Sequence, residues 1–175
     1  MSACSYLASG NQKLLFAKRL IKLADADNGN LQDKHLSAVL AQSVTLQLYW
    51  AWAWHLQDVA DNYKVADPSA VKSADDLVRL LEADGKTPAE AIELQYLASS
   101  KGSWLNRLLG AYHQLSVLPE VQKAQMDADR LPLLALDKSS DGEVKMLEWS
   151  MPEAVDWTAK MTELVDRQRE MMIEF

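Results

Sequence analysis

The sequence predicts an all-α fold, an antiparallel helical bundle of four main helices plus one short helix, and three observations predict it. Apolar residues recur at spacings of three and four along most of the 175 residues. Residues 31–67 contain neither glycine nor proline. Capping patterns stand ahead of several apolar runs: Ser73 with Asp76, Thr87-Pro88 with Glu90, and Ser150 with Glu153. Leucine and alanine are abundant in these runs and β-branched residues are sparse, which favours helix over sheet. The length fits a single domain over 1–175, large enough to bury a core without a staple.

The first helix is expected over 10–25. Leu14, Ala17, Ile21 and Ala24 form its apolar stripe, Phe16, Leu20 and Leu23 widen it, and Lys13, Lys18 and Lys22 take the wet side. The polar stretch from Asp25 to Asn30 ends it. The second helix is expected over 31–63, with Asn30 as cap and Asp33 three residues on. Leu36, Leu40, Val44, Leu48 and Ala51 step along one of its faces, and Leu46, Tyr49, Ala53, Leu56 and Ala60 along another. A helix apolar on two faces is expected to have neighbours on both, which makes this one the centre of the core.

Within it, Trp50-Ala51-Trp52-Ala53-Trp54 alternates with period two, as a strand would. The alternation is too short to break so long a helical segment. On a helix, Trp50 and Trp54 share a face and Trp52 points away from them. The three rings therefore read as packing for two layers of core. A ligand cavity lined by them is the alternative.

Asp67-Pro68-Ser69 breaks the chain. A short helix follows over 74–83, with Leu77, Leu80 and Leu81 inward and Gly85 closing it. The next helix is expected over 88–118 and stops at Pro119. Gly102 and Gly110 interrupt it. Either they allow close approach to the tryptophan helix or Ser99–Ser103 is a kink. A short helix over 120–129 and a small hairpin or ordered loop at 133–149 are both compatible with the following stretch. The last helix is expected over 152–173. Trp157, Met161, Leu164, Gln168 and Met171 form its core stripe, and Glu163 with Arg167 forms an i,i+4 pair on the solvent side, where Glu153 also lies.

The formal net charge is −7, which argues against a general nucleic-acid affinity. The charge is uneven. Residues 1–24 carry Lys13, Lys18, Arg19 and Lys22 and no acid, whereas from residue 120 onward thirteen acids face seven bases. A basic first helix packed beside an acidic last one accounts for this, and a basic docking face is the alternative. Residues 35–57 carry no Asp, Glu, Lys or Arg. That run is long enough to span a bilayer, but Gln42, Ser43, Thr45, Gln47, His55 and Gln57 would each need a partner in lipid. A buried central helix explains it better, so no membrane association is expected. Cys4 is the single cysteine, so neither an intramolecular disulfide nor a thiolate zinc site can form, and a reducing, cytoplasmic setting is expected.

Few residues suggest chemistry. His35, His55 and His113 are scattered, with no metal-ligand spacing among them, so no metal and no cofactor is expected. His55 precedes Asp58 by nearly one turn, close enough to pair. Arg107 and His113, six residues apart, resemble the arginine-to-histidine spacing of RNA-cleaving helical domains found in toxins and defence proteins. That resemblance implies an arginine stabilising phosphate charge and a histidine moving a proton. The chain departs from that pattern at Leu108, where a polar residue usually follows the arginine. Residues six apart also point about 120° away from each other on a helix.

The opening Asn11-Gln12-Lys13-Leu14-Leu15-Phe16-Ala17-Lys18, the uncharged helix with Tyr49 and Trp50, and the stretch from Glu93-Leu94-Gln95 to Trp104-Leu105 resemble a family of small helical proteins of unknown function from Pseudomonas-like gammaproteobacteria. The resemblance implies a bacterial, cytoplasmic origin and no activity. The residues themselves favour a non-catalytic helical module that mediates protein–protein interaction or self-association, its partner being another protein or a homo-oligomer. A hydrolytic enzyme using Arg107 and His113, and small-molecule binding in a Trp-lined cavity, are the alternatives.

Overall fold

The computed structural model describes residues 5–27, 34–117 and 149–173. Among them the chain is all-helical: α1 (Tyr6–Asp27), α2 (Lys34–Asn62), a 3-10 turn (Pro68–Ala70), α3 (Ala74–Ala83), α4 (Ala89–Ser99), α5 (Trp104–Ser116) and α6 (Met151–Ile173). No strand occurs among the described residues. The expected cap at Asn30, the helix over 120–129 and nearly all of the hairpin or loop at 133–149 lie outside them.

α1 starts four residues before the expected position. Ser5 accepts the amide of Ala8 on its hydroxyl at 3.1 Å and that of Ser9 on its carbonyl at 3.1 Å, so Ser5 serves as the cap. Gly10 lies against Ala51 and Trp54. The start of α1 thus sits beside the second half of α2, and the two helices form an antiparallel hairpin that packs along its length. Contact of α1 with α6 runs through Asn11, which accepts from Arg169 at 2.7 Å. The α6 partner is a cation, so the basic charge of α1 is not matched by α6 acids in the way the sequence suggests. Lys18, Arg19 and Lys22 form no ion pair among the described residues.

α3 occupies its expected range. Ser73 accepts the amide of Asp76 at 3.1 Å, and Asp76 in turn accepts from the Ser73 hydroxyl at 3.0 Å. Gly85 turns at φ +72°, where the Lys86 amide reaches back to the Leu81 carbonyl at 2.9 Å. This is the bonding of a glycine C-cap.

The helix expected over 88–118 is two helices. Gly102 adopts φ +84°, which no right-handed helix can contain. Ser103 then caps α5 by accepting the Asn106 amide at 3.0 Å, while the Asn106 side chain closes α4 by donating to the Ala98 carbonyl at 2.8 Å. Close helix approach is not the reason for either glycine, because a Cβ added at Gly102 or Gly110 would meet nothing within 4 Å. Among the described residues the four main helices plus one short helix expected from the sequence therefore become six. The expected capping box at Thr87 and Glu90 is also absent. Pro88 precedes α4 with no side-chain cap, and Glu90 turns inward instead.

The core gathers around α2, which supplies Val44, Leu48, Ala51, Trp52, Leu56 and Val59, and around α6, which supplies Ala154, Trp157, Met161, Leu164 and Val165. Leu77, Leu81, Leu94, Leu105 and Leu108 complete it from α3, α4 and α5. Tyr49 of α2 stacks on Tyr112 of α5, ring centroids 3.4 Å apart.

Of the second apolar face expected on α2, Leu56 and Ala60 are buried, Tyr49 and Ala53 are half-buried and only Leu46 is exposed, at 39%, whereas Val39 and Trp50, which belong to neither expected face, are exposed at 55% and 45%. Of the three rings in the tryptophan run, Trp52 is buried, Trp54 is half-buried and Trp50 is open. Trp50 does pack, but against other rings: Tyr49 edge-on at 5.7 Å and Trp54 at 6.3 Å.

Candidate functional site

Two features stand out, a polar seam inside the molecule and an apolar stripe outside it. The seam begins at His55, buried where α2 faces α6. Its Nε2 lies 2.8 Å from Oε1 of Gln168, which is also buried. An amide oxygen only accepts, so Nε2 carries the proton and Nδ1 is left as a bare acceptor. Nδ1 has no partner among the described residues. Burial pushes the imidazole down to about 4, although the Gln168 bond works in the other direction. The amide nitrogen of Gln168 donates to Glu93 at 2.8 Å and to the Glu90 carbonyl at 3.4 Å. Arg167 holds Glu93 through two bonds, at 2.6 and 3.2 Å. Burial raises the Glu93 carboxyl, but the bonds from Arg167 and Gln168 prevail and hold it below its ordinary value.

The seam surfaces beside the start of α4. Buried Glu90 accepts from the Tyr63 hydroxyl at 3.0 Å, and Lys86 donates to the Tyr63 carbonyl at 2.7 Å. Burial, and then the neighbouring Glu90 carboxylate, push the Tyr63 phenol up to about 12. These residues line a cavity of about 540 Å³ together with Thr87, Pro88 and Met171. Every charged group in it already has a protein partner, and no nucleophile stands beside a base.

The structure does not pair His55 with Asp58. Asp58 faces Arg169 at 3.6 Å, a distance for charge attraction rather than a hydrogen bond. Burial raises the Asp58 carboxyl despite that arginine. Glu163 is likewise not the main partner of Arg167, whose fork is taken by Glu93.

Arg107 and His113 both lie on α5 and are exposed. Arg107 pairs with Glu153 at the start of α6, which draws Glu153 away from open solvent. A groove of about 240 Å³ runs past Arg107, Gly110 and Gln114 to Trp149 and Trp157, and His113 is not on its wall. The structure thus does not bring the two together within one chain. A cavity of about 280 Å³ touches Trp52 beside Tyr49, Leu109 and Lys72, but Trp50 and Trp54 do not line it. Among the described residues no cluster of three His, Cys, Asp or Glu side chains could hold a metal ion, and no helix is long and apolar enough to cross a membrane.

The apolar stripe lies on the face of α2 turned away from His55. Val39, Ser43, Leu46 and Trp50 are spaced four, three and four apart, the spacing of a helix–helix seam. Ser43, the polar member, donates to the Val39 carbonyl of its own helix at 2.8 Å. Gly10 facing α2 and Asn11 facing α6 fix the rotation of α1. Turning the wheel from those anchors places Phe16 and Leu23 on a side of α1 away from α2, and both are exposed.

Sequence reasoning missed both features in part. Gln168 was legible as a polar residue in a core register, which signals a buried hydrogen-bond hub, but its partners come from α2 and α4 and cannot be read from spacing. Val39 lay outside both faces assigned to α2.

Fold and surface together define an all-helical protein with a hydrogen-bonded interior and an apolar outer seam. The model of a family of unknown function, DUF6586, matches residues 1–174, and the chain belongs to that family. No curated protein and no solved structure matches it.

Proposed function

We propose that this chain is a non-catalytic helical module that acts by binding another protein or a second copy of itself. The observation that carries the reading is the open stripe of Val39, Leu46 and Trp50 on α2. Contiguous apolar surface of this kind, on a domain that otherwise closes its core, marks an interaction site. The seam supports it, because Glu90, Glu93, Arg167 and the Gln168 amide are taken up by one another and by Tyr63 and His55 within the chain. A bacterial, cytoplasmic setting belongs to the same proposal and is supported by the single cysteine and by the resemblance of the opening segment.

Site-specific photo-crosslinking in cells tests the reading. A crosslinker at Val39 or Leu46 should give protein adducts, and one at Glu163, exposed on α6, should not. Absence of adducts from the α2 positions would sink the proposal. So would cleavage of mixed RNA by the purified chain that is lost in His113→Ala.

A further inference from the structure

The cavity of about 280 Å³ beside Trp52 lies where α2, the start of α3, the end of α4 and α5 converge. Large side chains reach it from α2, and small ones, Ala74 of α3 and Ala98 of α4, leave the space open. We infer that it binds a small carboxylic acid with a flat apolar body, whose carboxylate takes the Trp52 indole N–H and the Lys72 ammonium. The inference is independent of the α2 stripe and goes beyond the binding-module reading.

The first support is an unspent donor. Trp52 is 3% exposed, and it lines this cavity. Its indole N–H makes no hydrogen bond among the described residues, and it is not sealed in as the N–H of Trp149 is. A buried indole N–H normally finds a partner, because leaving it bare costs free energy that an acceptor removes. The cavity is where such an acceptor can enter.

The second is the sorting of polar groups on the walls. The acceptors are already engaged. Asp75 accepts from the Gln95 amide at 2.8 Å, and the Ser73 hydroxyl exchanges bonds with Asp76 in the α3 cap. The Tyr49 hydroxyl is committed to Tyr112. What remains is the Trp52 N–H and exposed Lys72, which forms no ion pair among the described residues. Both donate, and one is a cation, so the matching group is an anionic acceptor. A phosphate brings more acceptor oxygens than two donors satisfy, and its second charge would face Asp75. A carboxylate brings one charge and two oxygens.

The third is size and wall chemistry. Pockets for drug-sized ligands run from roughly 300 to 1,000 Å³, so this one takes a smaller molecule. Trp52, Tyr49, Leu109 and Ala98 offer it aromatic and aliphatic surface, against which a single ring packs.

Nuclear magnetic resonance on the full ¹⁵N-labelled chain tests the inference, with sodium benzoate as the probe. Six tryptophans give six indole signals, and that of Trp52 is assigned by changing the other five to phenylalanine one at a time. Benzoate should move the Trp52 signal saturably and bind at least tenfold tighter than benzamide, which lacks the charge, or sodium acetate, which lacks the ring. Lys72→Gln, at an exposed position that folding does not depend on, should weaken benzoate at least fivefold and leave benzamide unchanged. A Trp52 signal that stays fixed up to the solubility limit of benzoate overturns the inference, whether or not another tryptophan responds. Equal binding of the three probes overturns the ligand class. A benzoate preference that survives Lys72→Gln overturns the assignment of the carboxylate to Lys72.

Discussion

His55 donates from Nε2 to the amide oxygen of Gln168 at 2.8 Å, and neither side chain reaches solvent. One bond thus joins α2 to α6 through groups that water can no longer satisfy. Its amide end is fixed in orientation. The oxygen must face the imidazole N–H, because the nitrogen is committed to the Glu93 carboxylate on the other side.

This pair makes stability depend on pH. The folded imidazole is held near 4, below its ordinary 6.5. As pH falls below about 6.5 the unfolded chain takes up a proton that the folded chain refuses, so stability decreases. The loss continues until pH passes about 4, where the folded form also protonates. Integrated over that window it amounts to about 3 kcal/mol. Urea unfolding at successive pH values should show the decline, and His55→Gln should flatten it relative to wild type. An unchanged slope in the variant would assign the effect to carboxylates instead.

Gln168→Leu removes the hub while keeping most of its volume. The His55 N–H loses its partner in a dry interior, whereas the Glu90 carbonyl keeps its place in the α4 ladder and Glu93 keeps Arg167. We expect a loss of roughly 1–3 kcal/mol in chemical unfolding. Gln168→Glu should be at least as damaging, because it places a second carboxylate beside Glu93.

The tryptophans should separate by position. Trp52→Ala opens a cavity among core residues and should cost about 3–5 kcal/mol. Trp50→Ala deletes a ring that is 45% exposed and should cost less than about half of that in the dilute monomer. Thermal melts of the two variants side by side check the order. Equal losses would mean that the outer stripe is buried at the concentration of the experiment.

The two glycines of the expected long helix should respond with opposite signs. Gly102→Ala forces a side chain into φ +84° and should destabilise by about 1–2 kcal/mol. Gly110→Ala fills open space within a helix and should stabilise by up to about 1 kcal/mol. Denaturant midpoints measure both.

The legible part of this fold was its local part. The α3 boundaries follow from Ser73, Asp76 and Gly85, three residues whose effects are confined to neighbouring turns. The break before α5 was visible as glycine and serine, but whether Gly102 served packing or a turn depends on what lies across from it, which sequence spacing does not contain. Glu90 shows the limit most clearly. Three positions after Thr87 it fits a capping box, yet Tyr63, just past the end of α2, draws it inward. The α2 stripe went unread for a related reason: Val39 and Trp50 belong to neither of the two apolar faces, and an apolar residue outside a face carries no sign of whether anything covers it.

The bonds made by α6 reach far back along the chain. Arg107–Glu153, Glu93–Arg167, His55–Gln168 and Asn11–Arg169 span 46, 74, 113 and 158 residues. Contacts at such separations are slow to form, because loop-closure entropy must be overcome before they return anything. During synthesis, the hairpin of α1 and α2 leaves the ribosome long before Gln168 exists, and until then His55 faces a half-built interior with its N–H unsatisfied. The protein can assemble its pieces as they emerge, but it locks only after residues 151–173 are made. Ribosome-bound chains lacking α6 are therefore the form in which this sequence most exposes its apolar surface to chaperones and proteases.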